Sequence, residues 1–193
     1  SYRIFNAKGK EVSFEKLLKA SDSKSHIFFG EYHDCATIHW FQLQLTKYLF
    51  EKNGPNLIVG AEMFESDNQL LIDEYFSGKI STKNFEDECR LWTNYKTDYK
   101  PIVEFLREKQ VQFVATNIPR RYASMVFKND FASLVTLTVE EKSWIAPLPI
   151  PFNIQLPGYQ NMLQMMGGHA GEKMPKAQAI KDATMAYFIN KNR

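Results

Sequence analysis

Three short apolar runs, each emptying into residues that carry chemistry, narrow the folds open to this chain. The first, His26-Ile-Phe-Phe, ends in Gly30-Glu31-Tyr32-His33-Asp34. The second, Leu57-Ile58-Val59-Gly60-Ala61, leads into Glu62-Met63-Phe64-Glu65. The third, Val111-Gln-Phe-Val-Ala115, leads into Thr116-Asn117-Ile118-Pro119-Arg120-Arg121. Between the first two, Ile38, Phe41, Leu45, Tyr48 and Leu49 recur at helical spacing. Strands alternating with helices predict right-handed crossovers, and so an α/β fold: a mostly parallel sheet flanked by helices. In such a sheet ligands lie beyond the carboxyl ends of the strands. The runs therefore predict that Glu31, His33 and Glu62 gather at one edge.

The 193 residues suffice for one domain with a substantial core, expected over 1–193. Tyr2-Arg-Ile-Phe reads as a short strand, and Ser13 as the cap of a helix carrying Phe14, Leu17 and Leu18. Asp34 is the expected N-cap of a helix over 36–52, which Asn53-Gly54-Pro55 stops. Further helices are expected over 69–76 and 82–108, the second broken near Lys100-Pro101. Residues 146–158 hold four prolines among large aliphatics, so they form no regular element yet are apolar enough to pack on something. Helix returns over 176–189, with Ala177, Ile180, Thr184, Tyr187 and Phe188 on one face.

Composition excludes several classes of function. The net charge is +2 and the basic residues are scattered, unlike the basic face of a nucleic-acid binder. No apolar stretch is long enough to span a bilayer. Cys35 and Cys89 have no metal-type spacing and offer at most one disulfide. There is no nucleophile elbow, phosphate-binding glycine loop or dinucleotide fingerprint.

Two groups of residues remain as candidate sites. Glu31, His33 and Glu62 can bind a divalent metal, activate water or orient a substrate. Their plain alternative is structural, Glu31 capping a helix start and His33 bonding a loop carbonyl. His39, in the first turn of the next helix, either leans toward the crevice or sits at the surface. In the second group Met162, Met165, Met166 and His169 fall at i, i+3, i+4 and i+7, with Tyr159 opening the stretch. A methionine stripe is either core or a soft wall for a flat macrocycle or a partner. Tyrosine is one of the side chains that ligate haem iron, and without Cys-x-x-Cys-His any haem is held non-covalently. Gln178, Asp182 and Met185 share the polar face of the last helix, turned either to solvent or to the site.

Several strings in this order resemble one family. They are Gly30-Glu31-x-His33-Asp34, Gly60-Ala61-Glu62-Met63-Phe64, Trp92…Tyr95…Tyr99-Lys-Pro101, Asn117-x-Pro119-Arg120 and Ala177-Gln178-x-x-x-Asp182-Ala183-Thr184-Met185-Ala186. Together they resemble the ChaN-like haem-binding lipoproteins, over residues 26–189. The last string is the most specific; the first is shared with erythromycin-esterase-like proteins. The resemblance implies an iron-regulated bacterial lipoprotein of haem or iron acquisition, at the periplasm or outer membrane. Its membrane attachment would be a lipid anchor not seen in this chain, and an outer-membrane haem or iron receptor would be its partner. It also implies a homodimer enclosing two haems face to face, each ferric iron ligated by a tyrosine of one subunit. Histidine and lysine of the other subunit would hold the propionates, and His33 joins the haem-binding set. Tyr159 is the first candidate ligand and Tyr32 the second. Members of this family continue past the Asp182 helix into a strand near a Gly-x-x-His, a unit expected to be missing or trimmed here. Binding rather than catalysis is the leading expectation. The alternative is a Glu/His-based or metal-assisted hydrolase using Glu31, His33 and Glu62.

Overall fold

The computed structural model describes residues 2–165 and 171–193. Two compact units emerge, one of Ser1–Leu57 with Thr93–Gln112, the other of Ile58–Trp92 with Phe113–Arg193.

In the first unit, strands β1 (Ile4–Phe5) and β2 (Glu11–Val12) form an antiparallel hairpin in the register Ile4↔Val12. The Asn6 side chain closes its turn, accepting from the amides of Lys8 at 2.9 Å and Lys10 at 3.0 Å, and Gly9 supplies the positive φ. Helix α1 (Phe14–Ser21) starts at Ser13 as expected, its hydroxyl accepting from the amide of Lys16 at 3.2 Å. Helix α2 spans Ala36–Asn53, but its N-cap is Cys35, with no side-chain bond, rather than Asp34. Gly54, at φ 55°, ends it.

The apolar run 26–29 is not a strand. It has no ladder partners, and Phe28 is 79% exposed. An apolar run of four residues specifies burial but supplies no neighbour for its backbone groups, so pattern alone does not make it a strand.

In the second unit, β3 (Ile58–Glu65) pairs with β4 (Gln112–Asn117) in a parallel sheet with flanking helices, the expected α/β class. The strands approach closely where Gly60 faces Thr116: a Cβ on Gly60 would lie 3.0 Å from the Thr116 methyl. β3 is longer than its apolar run, so Glu62 lies within the strand rather than beyond it. Helices α3 (Gln69–Phe76) and α4 (Thr82–Glu88) follow, the latter capped by Ser81. The break expected at Lys100-Pro101 comes earlier, after α4. Pro101 instead occupies the first turn of α5 (Lys100–Glu108) in the first unit, where its missing N–H leaves no bond unmade. A π turn over Tyr95–Tyr99 precedes α5.

Past β4, α6 (Arg120–Asn129), α7 (Val139–Lys142), α8 (Pro157–Met165) and α9 (Lys173–Lys191) complete the second unit. A reciprocal capping box between Thr138 and Glu141 starts α7. α6 packs along α9 over a core of Tyr122, Val126, Leu134, Ile145, Ile150 and Ile180. Ala146 and Ile150 belong to this core, so the proline-rich stretch packs as expected. Against the sheet, Tyr75 stacks on Phe85 at 4.4 Å and Phe64 meets Phe113 edge-on at 5.2 Å. Among the described residues no helix is long and apolar enough to cross a membrane.

Candidate functional site

The first unit gathers an acid–imidazole cluster around Glu31. This side chain lies in the segment before α2 and is only 10% exposed. Its Oε1 accepts the Tyr99 hydroxyl and lies 3.0 Å from His33 Nδ1. The first turn of α2 delivers His39, whose side chain is 3% exposed, with Nδ1 3.4 Å from Glu31 Oε2. His39 Nε2 lies 3.0 Å from the His33 carbonyl oxygen, which also accepts from Asn94 Nδ2 at 2.6 Å. Asn94 donates to Asp98 Oδ2 at 2.8 Å as well. The Tyr99 ring meets the His39 ring edge-on at 4.7 Å.

Burial, and then its bond to Glu31, push the Tyr99 phenol above its usual range, so this group acts as a donor. Glu31 Oε2 and His39 Nδ1 face each other, both buried without a hydrogen-bond partner. Chemically this is a carboxylate between two imidazoles and a phenol, able to hold or pass protons. Of its members, sequence reasoning named Glu31 and His33 and left His39 open. It assigned no role to Asn94, Asp98 or Tyr99; the only signal for Tyr99 was its place in the Trp92…Tyr95…Tyr99 run. Among the described residues no group of three or more His, Cys, Asp or Glu side chains is arranged to hold a metal ion.

Glu62 belongs to the second unit, exposed on β3, with its carbonyl accepting from Asn117 Nδ2 at 3.1 Å. The acids at and just past the end of this strand are held by arginines. Arg90 pairs with Glu65 and, at 3.4 Å, with Asp67; Arg121 also pairs with Asp67. The amide of Arg120, opening α6, donates to Glu65 at 2.9 Å. These pairs tie the end of β3 to the start of α6.

Tyr159 stands in the first turn of α8, half-buried. Its hydroxyl donates to Asp182 Oδ2 on α9 at 3.0 Å, and its ring lies 5.6 Å from that of Phe152. Burial first, and then Asp182, push this phenol up to about 12. On the polar face of α9, Asp182 thus meets Tyr159, and Gln178 Nε2 donates to Asp182 Oδ1 at 2.7 Å. Met162 is half-buried and Met165 is 87% exposed, so the stripe is not core where it is described. Met166 and His169 lie outside the described residues. Tyr32, 76% exposed, projects from the first unit beside Glu31 and His33.

α8 thus carries two methionines and a tyrosine, residue types that can contact a flat macrocycle and ligate haem iron. The fold is shared with a solved structure described as cofacial haem binding to ChaN of Campylobacter jejuni. That match has a TM-score of 0.68 at 17% identity and covers 96% of this chain and 73% of the other. No curated protein matches the sequence. A model of one family, described as haem-binding uptake, Tiki superfamily, ChaN, matches residues 17–193. The chain therefore belongs to the ChaN family of haem-binding uptake proteins.

Proposed function

We propose that this protein binds haem non-covalently in bacterial iron or haem acquisition, holding two haems at the interface of a homodimer. Tyr159 is the ligand of ferric iron, with Tyr32 as the alternative oxygen. Met162, Met165, Met166, His169 and His33 complete the haem-binding set. Haem supplies the redox-active iron and its planar apolar face; the chain supplies an oxygen ligand and a soft wall. The observation that carries this reading is that one helix, in a chain of the haem-binding uptake family, holds the Tyr159 phenol in its first turn and Met165, 87% exposed, at its end. A single exposed apolar side chain is ordinary by itself; beside a phenol it offers a soft contact for a planar ligand. In the cell the protein works at the periplasm or outer membrane through a lipid anchor, beside a haem or iron receptor.

Titration of the purified chain with hemin tests this directly. The expected result is a Soret shift saturating at one haem per subunit, with dimer formation seen by size exclusion. A chain that leaves the hemin spectrum unchanged overturns it.

A second reading is favoured by one observation, the buried facing pair of Glu31 Oε2 and His39 Nδ1 at 3.4 Å, neither of which makes a hydrogen bond. It is a Glu/His-based hydrolase, for which Glu31→Gln abolishes ester or amide cleavage while leaving hemin binding intact.

A further inference from the structure

The Tyr159 oxygen is committed to an internal partner. It donates to Asp182 Oδ2 at 3.0 Å, while Gln178 Nε2, one turn earlier on α9, donates to Asp182 Oδ1 at 2.7 Å. Each carboxylate oxygen therefore has a donor, and Gln178 fixes its orientation. From behind, Phe152 backs the Tyr159 ring and is itself 5.7 Å from Phe131. The ring is held by packing and its oxygen by charge.

Tyrosine ligates ferric iron as phenolate. Tyr159 must therefore give up its bond to an anionic acceptor, and its proton to solvent, before its oxygen is available. Hydrogen bonds to charged groups are among the stronger ones in proteins, enough to shift an equilibrium by about tenfold or more. An apparent affinity falls by the fraction of molecules in the competent state.

Resting on the reading of Tyr159 as the iron ligand, we propose that Asp182, oriented by Gln178, is a latch that competes for the Tyr159 oxygen and weakens haem binding enough to permit release. Such a device suits an uptake protein, which must surrender its cargo as well as take it. Asp182 acts through Tyr159 and is a positioning residue. The polar residues Gln178 and Asp182, which spacing alone left undecided, thereby acquire one joint role.

The test uses the whole chain with hemin as probe. Asp182→Asn preserves size, removes the charge and offers an amide that can donate to a phenolate. The latch predicts that hemin binds about tenfold more tightly and dissociates more slowly, with the Tyr159-dependent visible bands kept. Gln178→Ala is expected to act in the same direction but less, and keeps the proposal testable should Asp182→Asn fail to fold. Without hemin, a thermal-unfolding cycle of Tyr159→Phe and Asp182→Asn is expected to be non-additive. Unchanged or weaker hemin binding in the α9 variants, with the Tyr159-dependent spectrum intact, overturns the latch alone. A spectrum indifferent to Tyr159→Phe overturns the ligand assignment, and the latch with it.

Discussion

The hydroxyl of Tyr99 donates to the carboxylate of Glu31, 68 residues earlier in the chain. This bond joins the π turn before α5 to the segment before α2, both within the first unit. Phenylalanine at position 99 keeps the packing and deletes one donor to a largely buried carboxylate. Tyr99→Phe is expected to cost about 1–3 kcal/mol, read as a lower urea midpoint at unchanged slope. A midpoint equal to that of the parent would show that Glu31 gains nothing from the phenol.

Gln69 does for β4 what a neighbouring strand would do. Its amide nitrogen donates to the Phe113 carbonyl at 2.9 Å, and its oxygen accepts from the Ala115 amide at 2.7 Å. Gln69→Leu fills similar space but leaves both backbone groups of a buried strand without this partner. The expected loss is about 2 kcal/mol or more, with faster hydrogen exchange at the Ala115 amide. An unchanged exchange rate there would mean that another group takes over.

Sequence periodicity located most helices because their signals are local. Ser13 capped α1, Gly54 ended α2, and the apolar spacing of α3 and α9 needed no distant partner. It failed where the outcome depended on partners remote in the chain. Residues 26–29 have the composition of a strand but no ladder, and no local feature announces that. Nor was the role of Tyr99, Asn94 and Asp98 legible, since their contacts to Glu31, His33 and His39 respectively cross more than fifty residues of chain. The Tyr159–Asp182 bond was half visible: both residues were singled out, but no spacing rule joins side chains on two helices.

Met165 separates haem binding from folding. At 87% exposed it contributes little to the stability of the chain alone, so Met165→Asp is expected to change that stability by no more than about 0.5 kcal/mol. If a macrocycle covers the residue, the same change removes an apolar contact and places a carboxylate against the ring. Hemin affinity should then fall at least about tenfold, measured by Soret titration beside an unaltered melting curve. Affinity equal to that of the parent would move the haem away from α8.

Burial pushes the Cys89 thiol up to about 12, with Arg90 beside it pulling less strongly the other way. Because the folded chain holds this proton more tightly than the unfolded one, the linked stability is complete below the unfolded thiol value of about 8.5. It declines as pH rises from there toward about 12, by up to about 1.4 kcal/mol per pH unit for one proton. Between about pH 8.5 and 10 most tyrosines of the unfolded chain are still protonated, which leaves this window largely to the thiols. Urea midpoints measured across that range should fall for the parent and fall less steeply for Cys89→Ala. Ellman's reagent offers a parallel readout: the buried Cys89 should stay unreactive in the native chain and become titratable on unfolding. Parallel pH slopes for parent and variant would show that Cys89 ionises as readily folded as unfolded.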